Sequence, residues 1–167
     1  MRHSRYAGES RGVRILATSF IDRPVGDVFA AMLDLENAEL FDPDVRSATK
    51  TTAGPIGVGT VFEFDERTPP FGRYQKNSVR YTAIEPDTRV GWIAQIGRLA
   101  PRGSLLFESV GNGTRLSFRD EGQPTGWLRL LSPILARQGR KIWAQRFADF
   151  KSWIESRPRN EHLAGDA

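Results

Sequence analysis

The stretch Ile21–Thr60, IDRPVGDVFAAMLDLENAELFDPDVRSATKTTAGPIGVGT, decides the architecture. It reads in order as a strand end, a helix, a short helical turn, a strand and a glycine turn. Asp22 can cap a helix beginning near Pro24, a residue suited to a first helical turn. Val25, Val28, Phe29, Met32 and Leu33 then recur at three- and four-residue steps, making one apolar stripe that ends near Leu35 or Asn37. A further helical turn over Ala38 to Phe41 stops at Asp42-Pro43, because the residue before a proline is pushed out of the helical region.

Upstream, VRILATSFI from Val13 alternates as a strand does, with Val13, Ile15 and Ala17 on one face and Leu16, Thr18 and Phe20 on the other. Downstream, Val45 to Thr52, Thr60 to Glu66, Arg73 to Glu85, Arg89 to Ile96, Gly103 to Val110 and Thr114 to Glu121 are strand-like runs. They are separated by Gly54-Pro55 with Gly57 to Gly59, by a Thr68 to Gly72 loop containing Pro69-Pro70, by Pro86-Asp87, by Gly97 to Pro101, and by Gly111-Asn112-Gly113. Connections this short argue antiparallel hairpins rather than parallel crossovers. From Thr125 to Ser156 the period turns helical, with Leu131, Leu135, Ile142, Phe147, Phe150 and Ile154 near one side. Pro133 after Ser132 marks either a fresh start capped by Ser132 or a kink in a helix begun near Trp127.

This order predicts an α+β fold: a curved antiparallel sheet of about seven strands around one long C-terminal helix, with two short helices after the first strand. A sheet gripping a helix leaves an apolar hollow between them. Residues 13–156 are expected to form one domain, flanked by a basic tail over 1–12 and a second tail over 157–167, neither of which has periodicity.

The 167 residues are enough for one full core, and 39% hydrophobic with 26% charged residues is ordinary for a globular chain. With no cysteine there is no disulfide, thiolate nucleophile or Cys-based zinc site. His3 and His162 fall in the two end segments, so a histidine base, a Ser-His-Asp triad and a multi-histidine metal site are not expected. No cofactor and no metal are implied. No run of about 18 apolar residues occurs, and the basic start lacks an apolar segment behind it, so a cytoplasmic protein is expected.

The net charge of +4 is uneven, being +2 over residues 1–12, −2 over 13–122 and +4 over 123–156. Arg129, Arg137, Arg140, Lys141, Arg146 and Lys151 therefore make either a solvated helix face or a patch for weak contact with an anionic surface. The aromatic-and-basic pattern of an RNA-binding sheet is absent, so no specific nucleic acid is expected. Oligomeric state cannot be read from these features.

Several local patterns add to this order. Arg23-Pro24-Val25 with Val28-Phe29, Leu33-Asp34, Phe41-Asp42-Pro43 with Val45, and Gly57-Val58-Gly59-Thr60 follow one another. Ile84-Glu85-Pro86 with Arg89-Val90-Gly91-Trp92, and Gly113-Thr114-Arg115-Leu116, come later. From about Val13 to Glu155 the chain resembles the START-like helix-grip (SRPBCC) superfamily, the polyketide cyclase/dehydrase and lipid-transport group. The resemblance implies a ligand cavity between the sheet and the last helix. Many members have tryptophan where Phe41 stands, and Phe41 keeps the aromatic plug. No catalytic motif of the group carries over residue by residue.

Strand alternation proposes the cavity lining: Phe62, Phe64, Val90, Trp92, Leu105, Phe107, Leu116 and Phe118, with Leu135, Ile142 and Phe147 from the helix. Either Tyr81 or Arg80 must point inward, since strand neighbours point oppositely. Tyr81 suits a pocket better, its hydroxyl serving either a ligand carbonyl or a backbone group. Asp120 shares the parity of Leu116 and Phe118 and belongs at the rim, paired with Arg80 or Arg98 or simply solvated. Glu63 and Asp65 have the opposite parity to Phe62 and Phe64 and should face solvent.

Three functions compete. One is binding or carriage of a small hydrophobic molecule, such as a lipid, an isoprenoid or a polyketide-like aromatic. Another is a cyclase or dehydratase using Tyr81, Arg80 or Asp120, which needs two polar groups converging in the pocket. The third is an interaction module docking through the basic last helix.

Overall fold

The computed structural model describes residues 13–68, 72–97, 100–122 and 132–158. The expected N-terminal tail, the Pro69-Pro70 loop, Arg98, Trp127, Arg129, Leu131 and most of the expected C-terminal tail lie outside these residues. So do the side chains of Asp120 and Leu135.

Strands β1 (Val13–Ile21), β2 (Val45–Lys50), β3 (Val61–Thr68), β4 (Arg73–Glu85), β5 (Arg89–Ile96), β6 (Arg102–Val110) and β7 (Gly113–Gly122) form one sheet. Its order is β1-β7-β6-β5-β4-β3-β2, with antiparallel neighbours throughout. Hairpins explain every pairing but one. The first and last strands join in an unbroken register from Val13↔Gly122 to Ile21↔Thr114. Ile21 is fully buried, while Leu16 and Phe20, of opposite parity, are exposed on the convex face. Gly113 permits this junction: a side chain there would lie 2.7 Å from the Ile21 carbonyl and against the Phe20 ring. Bulges between Val45 and Ser47 and between Tyr81 and Ala83 interrupt the ladders, and such insertions bend a sheet.

Helix α1 (Val25–Leu33) buries Val28, Phe29 and Met32, the expected stripe, and Phe29 meets Phe107 edge-on at 5.1 Å. Its N-cap position falls on Pro24 rather than on Asp22. The Asp22 backbone N–H instead donates to Glu155 Oε1 at 2.7 Å. A 3-10 turn, Leu35–Asn37, follows, capped by the Asp34 carboxylate, which accepts from the Glu36 N–H at 3.1 Å. Helix α2 (Ala38–Phe41) stops at Asp42, as the following proline requires.

Helix α3 (Ser132–Ser156) lies across the concave face. The last carbonyls of a helix have no partner within it. Here the buried Arg23 guanidinium donates to the carbonyls of Asp22, Glu155 and Arg157 at 2.8, 2.5 and 2.8 Å. Thr114, also buried, donates to the Arg23 carbonyl at 2.8 Å. The start of α1, the start of β7 and the end of α3 are thereby tied at one point. No described helix is long and apolar enough to cross a membrane.

Candidate functional site

Between the concave face, α2 and the first half of α3 lies a cavity of about 300 Å³. Of the residues read from sequence as its lining, Phe64, Tyr81, Val90, Trp92, Leu105, Phe118, Ile142 and Phe147 do line it. Phe62, Phe107 and Leu116 do not. They lie on the predicted face but belong to the closed core, where Phe107 packs under α1 and Phe62 packs 5.5 Å from the Tyr81 ring. Strand parity gives the face; it does not give the depth along the strand at which helices cover it. Met32, Leu35, Phe41, Val79 and Gly139 complete much of the wall.

One side is aromatic. Phe118 and Trp143 stack with centroids 3.6 Å apart and planes 19° apart, Trp92 lies 5.7 Å from Phe118, and Phe147 meets Trp143 edge-on at 5.9 Å. Trp92 faces Gly103 across the β5–β6 ladder. A side chain on Gly103 would come within 2.8 Å of the indole, so its absence lets the ring lie on the strand. Phe41, the expected plug, packs on Phe150 at 5.1 Å and Trp153 at 5.5 Å.

Tyr81 points inward and Arg80 is exposed on the convex side. The Tyr81 hydroxyl donates to the carbonyl of Leu33, the last residue of α1, at 2.7 Å. Burial raises its pKa, and the Asp34 charge raises it further. This phenol is an anchor for α1 and is not an acid available at neutral pH. Arg80 cannot join it in chemistry from the opposite face. Asp120 pairs by register with Ile15 and Gly103. The Tyr81, Arg80 and Asp120 constellation is therefore not assembled among the described side chains.

A different polar group converges on the cavity. Arg146 Nη2 donates to Glu66 Oε2 at 2.6 Å, and Arg146 Nε lies 2.8 Å from Asp42 Oδ2. Asn77 Nδ2 donates to Glu66 Oε1 at 2.9 Å, and the Asp44 N–H donates to Asp42 Oδ1 at 3.0 Å. Side-chain exposure is 6% for Asp42, 12% for Glu66 and 23% for Arg146, so all three charges are largely out of water. Burial raises the Asp42 pKa, and the opposing pull of Arg146 and the Asp44 N–H does not cancel it. For Arg146, burial works to lower the pKa, but Glu66 and Asp42 overcome it and leave the pKa raised.

The basic patch read from sequence shrinks accordingly. Arg146 belongs to the cavity, and Lys151 pairs with Glu155 at 3.0 Å and donates to the Phe20 carbonyl at 2.6 Å. Arg137, Arg140 and Lys141 remain exposed. Glu63 is exposed as expected, and Asp65, less than half-exposed, pairs with Arg46 at 3.2 Å. Among the described residues no group of three or more histidine, aspartate or glutamate side chains is placed to hold a metal ion.

No protein-family model and no curated protein sequence matches the chain. Solved structures do. The di-domain ARO/CYC StfQ from the steffimycin biosynthetic pathway aligns over 86% of this chain with a TM-score of 0.70 at 17% identity. This chain spans 51% of StfQ, about half its length. A START superfamily protein from Mycobacterium smegmatis aligns over 85% of this chain and 97% of its own, with a TM-score of 0.71 at 10% identity. Ara h 8.0201 aligns over 86% and 98%, with a TM-score of 0.63 at 14% identity. The chain has the START-like helix-grip fold.

Proposed function

We propose that this protein binds a small, largely apolar molecule in the cavity between the sheet and α3. The observation that carries the reading is the cavity itself: open space beside Trp92, Phe118 and Trp143, walled largely by apolar side chains of the core. Protein interiors are close-packed, and an apolar void forfeits dispersion contacts that a guest would restore. Its volume of about 300 Å³ sits at the low end of the ~300–1,000 Å³ range of ligand pockets. A ring compound or a short isoprenoid fits that volume better than a two-chain lipid does. The likeness to the fold of a START superfamily protein supports the same reading.

Native mass spectrometry of gently purified protein is expected to reveal a co-purified apolar mass, or binding of a hydrophobic dye when the protein is empty. Failure of both would sink the proposal. Trp92→Ala is expected to lower dye affinity about tenfold while shifting the melting temperature little. Equal damage to both would make Trp92 a core residue only.

A second reading, turnover of an enolisable ring compound, draws on the convergence of Asp42, Glu66 and Arg146 at the cavity and on the likeness to an ARO/CYC structure. Both carboxylates already hold Arg146 or backbone and amide N–H groups, which favours positioning over proton transfer. Asp42→Asn tests it, because loss of turnover with retained dye binding would favour the enzyme.

A further inference from the structure

Four features beyond the aromatic wall could bear function. A second cavity of about 300 Å³ lies beside Arg23, Asn37 and Trp153, where the Arg23 guanidinium is already engaged with the last carbonyls of α3. Leu16 and Phe20 on the convex face, and Leu40 and Val58 elsewhere, expose apolar surface, and nothing among the described residues shows what would cover it. The exposed Arg137, Arg140 and Lys141 have no structural feature of a binding site around them among the described residues. The ion-pair cluster at the cavity is different, because it combines buried charge, open space and unequal signs.

Asp42 and Glu66 place two carboxylates against one guanidinium, and Asp34 adds a third carboxylate to the lining. Each carboxylate has about four lone-pair sites. Asp42 Oδ1 accepts from the Asp44 N–H and its Oδ2 faces Arg146 Nε; Glu66 accepts from Asn77 and from Arg146 Nη2. Both keep acceptor capacity. Arg146 Nε, although 2.8 Å from Asp42 Oδ2, is buried without a hydrogen-bond partner among the described residues, and a guanidinium has five N–H donors, so donor capacity remains beside those acceptors. The Arg146 guanidinium also lies 5.4 Å from the Trp143 ring centroid, which sets the polar cluster next to the aromatic wall.

An incoming carboxylate would bring another negative charge to a group already short of positive charge. In a site of low dielectric that repulsion is poorly screened. An ammonium could donate to Asp42 or Glu66 but could not accept from Arg146, and it would lose its own hydration to enter an apolar cavity. A neutral hydroxyl meets both requirements, donating to a carboxylate and accepting from a guanidinium N–H of Arg146. We infer that the Asp42–Glu66–Arg146 cluster selects the ligand's polar end, taking a ring-bearing apolar molecule with an uncharged hydroxyl and rejecting its anionic counterpart. This rests on the cavity-binding reading above, and the experiment separates the two.

The probes are 2-naphthol, 2-methoxynaphthalene, 2-naphthoate and 2-naphthylmethylammonium, titrated calorimetrically into the intact protein at neutral pH. A hydrogen bond to a charged partner is worth ~1.5–3 kcal/mol, so naphthol should bind about tenfold or more tighter than its methyl ether. Naphthoate should bind most weakly. Ether binding equal to naphthol, naphthoate binding as tightly as naphthol, or the ammonium binding tightest would each overturn the inference while leaving the cavity reading intact. Absence of binding by all four would remove both. Glu66→Gln keeps the side chain's shape and removes one negative charge, so it should narrow the gap between naphthol and naphthoate by several-fold. An unchanged gap would overturn the role given to Glu66. Should that variant fail to fold, the probe series on the natural protein still decides the matter.

Discussion

From Gly139 to Arg146 the inward face of α3 looks onto the open space beside Trp92, whereas at Phe150 the continuation of that face is fully buried. Phe150 has no exposure and packs edge-on against Phe41, and Ile154 is buried beside the point where Arg23 gathers the last carbonyls of the helix. One helix thus serves two purposes, with its C-terminal half holding the fold and its middle leaving room. The difference lies in side-chain volume and charge along a single stripe. Phe150 fills its layer. Gly139 contributes no side chain, and Arg146 turns inward only because two acids receive it.

The sharpest way to break this contrast is a pair of truncations. Phe150→Ala removes a fully buried ring and is expected to cost ~3–5 kcal/mol of stability. Ile142→Ala, at a half-buried position on the cavity, should cost less than ~2 kcal/mol because fewer atoms surround it to be abandoned. Denaturant unfolding checks both, and similar losses would mean that the middle of α3 packs as tightly as its end. A smaller effect of opposite sign is expected at Gly139. Glycine inside a helix is about 1 kcal/mol less favourable than alanine, so Gly139→Ala should raise the unfolding midpoint while weakening dye binding in the cavity. Gain in both would show that Gly139 is not kept for room.

The same contrast governs what the chain made legible. Strand ends and hairpins followed from alternation and from glycine and proline breaks, and β4 and β5 have the bounds that alternation assigns them. The β1–β7 pairing joins segments far apart in sequence, and local pattern holds no trace of it. Tyr81 was readable as inward, yet its bond to the Leu33 carbonyl depends on where α1 ends in space. The cluster was half visible. Glu66 shares parity with Phe62 and Phe64, and Arg146 sits four residues from both Ile142 and Phe150 on the helical stripe. Each is an isolated charge on an apolar face, and such a charge requires a partner. Counting net charge by segment concealed that, because it treats every arginine of a helix as solvated. Asp42, readable as the residue that ends α2, gave no sequence sign of reaching α3.

The smallest expected effect separates the two regions by pH. Glu155 sits with the lock, accepting from the Asp22 N–H and pairing with Lys151. Burial tends to raise its pKa, but that N–H and Lys151 outweigh it and leave the pKa lowered. A lowered carboxyl stabilises the fold above its unfolded value of ~4.3 and loses that contribution as pH falls through the folded value. Asp42, raised by burial, has the opposite sign: its contribution is full below the unfolded ~3.9 and is lost as pH rises through the raised folded value. Acidification should therefore shrink the stability difference between the natural protein and Glu155→Gln, and should move the difference from Asp42→Asn in the natural protein's favour. Melting temperatures of the three proteins across the acid range read both slopes. Two slopes of the same sign would mean that the cavity end and the locked end of α3 do not differ in the way their buried charges are held.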